Sequence, residues 1–154
     1  MKDDYRALSR RPGFLVRRLH QIHLALFAEE CGAFNVTPVQ YSLMTVLAER
    51  PGLEQLDLAT EIGVDRTTIG DVLVRMEKRA LLRRTVSPND RRAKLVRLTN
   101  KGTKLHRSME DAVQRTHDRT LDVLPPPDRA AFLRDLARLV EANNHIGRAA
   151  MRLR

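Results

Sequence analysis

The chain has 154 residues, 42% of them hydrophobic, which is enough for one core with an added oligomerisation element. An aromatic share of 4% without Trp argues against binding single strands on stacked aromatic platforms, and the lone cysteine, Cys31, excludes an internal disulfide. A net charge of +9 points to a polyanionic partner, although a membrane surface would satisfy the charge equally well.

Pro12 to Glu30 reads as the first helix. Leu15, Leu19, Ile22 and Leu26 form one apolar stripe, and Val16, His20, His23 and Phe27 form its neighbour, with Arg17 beside His20. A helix this broadly apolar needs cover on more than one side, and a partner subunit is a natural cover. Arg17, Arg18, His20 and His23 interrupt the apolar run, so it does not read as a signal peptide. No stretch approaches the ~20 apolar residues of a membrane span, and a cytoplasmic location is expected, with no membrane partner. Glu29 and Glu30 precede Cys31 and disfavour a thiolate, so a structural role is preferred for this cysteine.

Thr37-Pro38-Val39-Gln40 predicts the start of a second helix, with Thr as N-cap, Pro at the first position and Gln at the third. Leu43, Met44, Val46 and Leu47 bury it, and Pro51-Gly52 ends it. Next, Leu56 to Ile62 is apolar-periodic, breaks at Gly63 and restarts at Asp65, which predicts helix, turn, helix. Asp65 is suited to cap the second of these helices through the N–H of Thr67 or Thr68. Ile69, Val72, Leu73 and Met76 make its buried stripe. Arg66, Thr67, Gly70, Asp71, Val74, Arg75 and Lys78 are left on the other face. Arginines and hydroxyls around a glycine suit a helix lying in a DNA major groove, where Arg reaches guanine edges or phosphates and Gly permits close approach. Asp71 would repel phosphate; it either accepts from a cytosine amino group or pairs with Arg75 four residues on, the preferred reading.

Leu82 to Val86 and Lys94 to Leu98 read as two strands, because Val86, Val96 and Leu98 alternate with polar neighbours and Ser87-Pro88-Asn89-Asp90 is turn chemistry. Arg83, Arg84, Arg91, Arg92, Lys94 and Arg97 face one acid, Asp90, in this hairpin. A basic hairpin beside a groove-reading helix can place arginine in the flanking minor groove. Thr99 then caps a helix from Asn100 to about Val123, carrying Leu105, Met109, Val113 and Leu121. Pro125-Pro126-Pro127 stops it, and Asp128 to about Arg148 resumes with Phe132, Leu136, Leu139, Val140, Asn143 and Ile146 on one side. The expected fold is mainly α with a small β-hairpin wing. Residues 1–34 and 100–154 form a helical dimerisation region around a winged helix-turn-helix at 35–99.

The run LATEIGVDRTTIGDVLVRMEKRALLRRTVSPNDRRAKLVRLTNKG resembles the winged helix-turn-helix of the multiple antibiotic resistance regulator (MarR) family, with its D-x-R wing signature at Asp90 and Arg92 followed by Leu98-Thr99. The flanking helices fit as well. The resemblance implies a homodimer on a pseudo-palindromic duplex, with Arg92 in the minor groove and Asp90 holding the wing by an ion pair. It places DNA contacts at Arg66, Thr67, Thr68, Gly70, Asp71, Arg75, Asn89, Asp90, Arg91, Arg92 and Lys94. Two positions depart from the family pattern. Ala80 replaces the usual glycine between recognition helix and wing, which weakens the expectation of a left-handed cap, and Glu54 replaces the usual Ser or Thr cap.

Relatives that sense aromatic carboxylic acids place Arg and His on the first helix, and RRLHQIHLALF is similar to theirs. The implied effector residues are Arg17, His20, His23 and Phe27, taking an aromatic carboxylate. The expected function is a ligand-released repressor. The alternatives are oxidant sensing through Cys31, as in the family's thiol-switch branch, and constitutive duplex binding without an effector. Histidines three apart on one helix could share a metal ion, but the ligand count is short, so no metal is expected. No nucleophile–base pair, phosphate loop or catalytic carboxylate cluster is present, so neither catalysis nor a cofactor is expected.

Overall fold

Local capping chemistry sets most of the element boundaries in the computed structural model, which describes residues 4–147, 149 and 151. Helix α1, Pro12–Cys31, begins with proline in the first turn, where no N–H is needed. Helix α2, Pro38–Glu49, carries the full capping box: Thr37 Oγ1 accepts from Gln40 N at 3.2 Å, and Gln40 Oε1 accepts from Thr37 N at 3.0 Å. Helix α3, Gln55–Ile62, has no side-chain cap at Glu54, and Gly63 closes it in the left-handed region at φ 68°. Helix α4, Arg66–Lys78, starts on Asp65, whose carboxylate accepts from Thr68 N at 2.7 Å and from Thr68 Oγ1 at 3.0 Å. Those two bonds hold the Asp65 carboxyl below its ordinary range.

Strands β2, Leu82–Val86, and β3, Lys94–Leu98, pair antiparallel with Arg84 opposite Val96. A third strand, β1 at Leu53–Glu54, pairs with the other edge of β3, giving the order β1-β3-β2. This strand was not expected, because two residues carry no periodicity. Helix α5, Asn100–Leu121, is capped by Thr99. The proline triplet behaves differently from expectation. Helix α5 has already ended, and Pro126 and Pro127 open helix α6, Pro126–Asn143, where the missing donors are no loss. Helix α6 is therefore shorter than expected and gives way to a 3₁₀ turn at Asn144–Ile146; Arg148 lies outside the described residues.

The core lies where α2, α3, α4, the sheet and the lower part of α5 meet. Leu43, Met44, Leu47, Leu58, Ile69, Leu73, Met76, Leu81, Val96 and Met109 are fully buried there, each contributing about 1.5–3 kcal/mol relative to an exposed side chain. Val72 is only half-buried, and Val86, placed with the alternating apolar set in sequence, is exposed near the wing tip. At the other end the chain keeps apolar surface outside: Leu15, Val16 and Ile22 of α1, and Leu133, Leu139 and Val140 of α6, are exposed. Helix α1 is tied to α5 by Arg115 on Glu30 at 2.8 Å and by Arg119, which forks to Glu29 and Glu30 at 2.8 Å each. The two guanidiniums hold the Glu30 carboxyl below its ordinary range.

The end of α4 corrects one expectation. Ala80 adopts the left-handed conformation, φ 57°, despite its side chain. Leu81 N donates to Met76 O at 3.0 Å and Ala80 N to Glu77 O at 2.9 Å, the paired bonds of a Schellman cap. Thr99 Oγ1 donates to Ala80 O at 2.6 Å and Lys101 Nζ to Arg79 O at 2.9 Å, so this neighbourhood holds the strained residue in place. A non-glycine residue in this region costs about 1–2 kcal/mol, and glycine loses part of that gain to its freer unfolded chain. Ala80→Gly should therefore raise stability by about 0.5–1 kcal/mol, measured as a shift of the urea midpoint at constant slope.

Candidate functional site

The recognition face of α4 and the wing share one cleft. Arg66 from the first turn of α4, Gln55 from α3, and Arg84, Asp90, Arg92 and Lys94 from the hairpin line a polar groove of 410 Å³. Thr67, Asp71, Asn89 and Arg91 are exposed but do not line it, Arg75 is exposed at a separate cavity where α1, α2 and α4 meet, and Gly70 is half-buried, with room for a side chain up to the Gln55 amide at 3.7 Å. Thr68 is exposed too, but its hydroxyl proton is committed to Asp65, leaving the methyl group and oxygen lone pairs for a partner. No Asp71–Arg75 ion pair occurs among the described residues; the preferred pairing is not made, and Asp71 is exposed.

The wing is held in a way the sequence did not suggest. Glu77 of α4 accepts from Arg84 three times, from its backbone N at 3.1 Å, Nε at 3.1 Å and Nη2 at 2.7 Å. Arg84 is consequently a structural cation that keeps the Glu77 carboxyl below its ordinary range. Asp90, expected to hold the wing by an ion pair, instead accepts from Arg92 N at 2.8 Å and closes the tip together with Ser87 N→Ala93 O at 2.9 Å. Arg92 and Arg91 thereby extend from a defined turn.

The four expected effector residues are not gathered in one place. His20 and His23, with Arg18, His117 and Thr120, line an apolar cavity of 690 Å³ between α1, α5 and α6. Arg17 is exposed and lies over the Phe14 ring at 5.5 Å, outside that cavity, because it projects from a different side of α1. Phe27, one turn beyond His23, is buried and lines a separate cavity of 440 Å³ at the corner where α1, α2 and α4 meet. Cys31 is fully buried, and burial pushes its thiol up.

Two histidines that join elements were not singled out in sequence. His117 of α5 stacks on His23 of α1, with ring centroids 5.4 Å apart. His23 Nδ1 lies 2.9 Å from Thr120 Oγ1, whose proton goes to Thr116 O at 2.7 Å, so His23 is the donor and its Nε2 is left as an acceptor. His106 of α5 is buried against Tyr41 of α2 and meets Thr45 Oγ1 at 3.0 Å through Nε2. Burial lowers the affinity of both His23 and His106 for a proton, and His117 and His20 lower that of His23 further. Their stabilising contribution is complete above the unfolded value of 6.5 and is lost as pH falls through the lower folded values. The melting temperature should fall between pH 8 and pH 5, and His106→Gln should flatten that fall.

Residues 36–94 match the MarR family. The PcaV transcriptional regulator of Streptomyces coelicolor, solved in complex with its natural ligand, is 32% identical, with 92% of this chain and 99% of that one covered at a TM-score of 0.80. CouR of Rhodococcus jostii RHA1 is a transcriptional repressor solved on a 23-mer DNA duplex and, separately, with p-coumaroyl-CoA. The DNA-bound form is 30% identical, with 91% and 99% covered at a TM-score of 0.83. BpsR of Bordetella bronchiseptica, whose DNA binding is regulated by 6-hydroxynicotinic acid, is 27% identical, with 90% and 97% covered at a TM-score of 0.82. With a winged helix-turn-helix, arginines and a lysine along the wing groove, and relatives at 30% identity or more that match over nine-tenths of this chain, the protein belongs to the MarR family of DNA-binding, non-catalytic transcriptional regulators.

Proposed function

We propose that this protein is a homodimeric repressor that binds a pseudo-palindromic operator and is released by a small aromatic carboxylate. The observation that carries the DNA half is the groove that joins Arg66 of α4 to Arg92 and Lys94 of the wing, where these cations outnumber the two carboxylates of the lining, Glu54 and Asp90, and suit a phosphate strand. Residues 35–99 hold this machinery, while 1–34 and 100–154 supply the dimer contact, for which the exposed apolar faces of α1 and α6 are suited. The effector half is supported by the ligands of the relatives named above and by His20 and His23 beside an apolar cavity. The free Nε2 of His23 can accept a phenolic proton there. Effector and operator each favour a different spacing of the recognition helices, so each weakens the other.

The test is fluorescence anisotropy of the duplex upstream of the protein's own gene against an unrelated duplex at physiological salt, with and without a panel of aromatic carboxylic acids. Selectivity of about 10³-fold or more, abolished by one acid, is expected. Equal binding to both duplexes would overturn the repressor reading in favour of constitutive binding, and release by peroxide alone would favour Cys31 as the sensor.

A further inference from the structure

The exposed face of α4 carries one acid among cations. Arg66, Thr67, Asp71, Val74, Arg75 and Lys78 are exposed along this helix, while its other carboxylates are engaged, Asp65 in the Thr68 cap and Glu77 on Arg84. The Asp71 carboxylate forms none of the ion pairs found among the described residues. A bare carboxylate on a surface that meets a polyanion weakens phosphate binding unless a donor receives it. Gly70 stands immediately before it. A Cβ at Gly70 would meet only the Gln55 amide, at an ordinary 3.7 Å, so the packing of the chain does not require glycine there, although glycine weakens a helix interior.

We infer that Asp71 is a specificity-determining residue that selects cytosine in the major groove, with Gly70 giving the close approach that its short side chain needs. This rests on the operator-selective reading proposed above. A carboxylate only accepts, so the base it meets must donate. Guanine shows N7 and O6 there and thymine O4, all acceptors, which repel it. Adenine donates from N6 but sets the N7 acceptor beside it, whereas cytosine presents its N4 amino group with no acceptor of its own alongside. Cytosine is therefore the base that suits Asp71. Asp71→Asn supplies an amide donor for N7 and keeps an acceptor for N6, a match to adenine instead.

Duplexes randomised over about 20 base pairs, room for two half-sites one helical turn apart, would be selected on the full chain and sequenced for wild type, Asp71→Asn and Asp71→Ala. Wild type is expected to require cytosine at one position of each half-site. Asp71→Asn should move that position to adenine, and Asp71→Ala should accept any base there, with every other position unchanged. In anisotropy titrations, replacing that cytosine in both half-sites should weaken wild type about 100-fold and Asp71→Ala about threefold or less. Neither variant should melt below wild type, because the exposed carboxylate has no ion pair to lose. An unchanged base preference in Asp71→Asn, including uniformly tighter binding of every duplex as for a repulsive charge removed, overturns the assignment and leaves the repressor reading intact. A wild-type selection that enriches no sequence overturns both.

Discussion

Gly102→Ala should lower stability by about 3 kcal/mol and the melting temperature by about 10 °C. The reason is a backbone collision: a Cβ at position 102 would lie 2.0 Å from Leu81 O and 3.3 Å from a Leu98 methyl. Neither neighbour can give way cheaply. Leu81 O accepts from Thr99 N at 3.1 Å, and Leu81 N completes the Schellman cap of α4, so moving this peptide opens the end of the recognition helix and the start of α5 together. Gly102 itself donates to Thr99 Oγ1 at 3.1 Å within the α5 cap. Gly13→Ala is the control, since a Cβ there meets nothing within 4 Å and the residue lies in the first turn of α1; its melting temperature should be unchanged or slightly higher. A Gly102→Ala protein melting with wild type would mean that α5 and the wing are not locked together as described.

Arg92→Ala should weaken binding to the proposed operator about 100-fold, because the proposed homodimer would lose the contact twice at about 1.5 kcal/mol each. The wing tip is a defined turn, closed by Asp90 on Arg92 N and by Ser87 N on Ala93 O, and it is braced from below by Glu77 on Arg84, so removing the Arg92 side chain takes away reach without disturbing the scaffold. Affinity for an unrelated duplex separates two roles. A minor-groove base-edge contact lowers operator affinity more than unrelated binding. A phosphate contact lowers both alike and reduces the salt slope by ~0.9 per lost contact. Wild-type affinity in Arg92→Ala would remove the wing tip from the interface.

Much of the scaffold was legible because it is written in local chemistry. Thr37 with Gln40, Asp65 before Arg66, and the Ser87–Asp90 turn each act within a few residues, and the observed caps and strand limits follow them. The features that were not legible depend on distant partners. Ala80 is left-handed because Thr99 and Lys101 grip the carbonyls around it, and nothing in the sequence near Ala80 announces that. Glu77 and Arg84 meet across a helix-to-strand turn, where neither the helical nor the strand period applies. The first helix differs again: Arg17, His20, His23 and Phe27 are close in sequence, but side chains on adjacent turns fan around the helix, and the structure sends them to an exposed side and to two cavities. His106 and His117 lie within helical surroundings on α5, and only packing against α2 and α1 distinguishes them from surface histidines.

The lock at Leu81 also sets a mechanical ratio. Helix α5 has 22 residues, a rod about 33 Å long. One end of this rod is fixed to the tail of the recognition helix through Leu81, Thr99 and Gly102, and the other is fixed to α1 by the Arg115 and Arg119 pairs. A tilt of about 5° about its far end sweeps the near end through about 3 Å, most of the width of one base-pair step. Small adjustments where the upper helices meet are therefore geared up at the groove. Inserting or deleting a single residue in the middle of α5, which rotates everything beyond it by about 100°, should disable DNA binding even where the winged lobe itself folds intact.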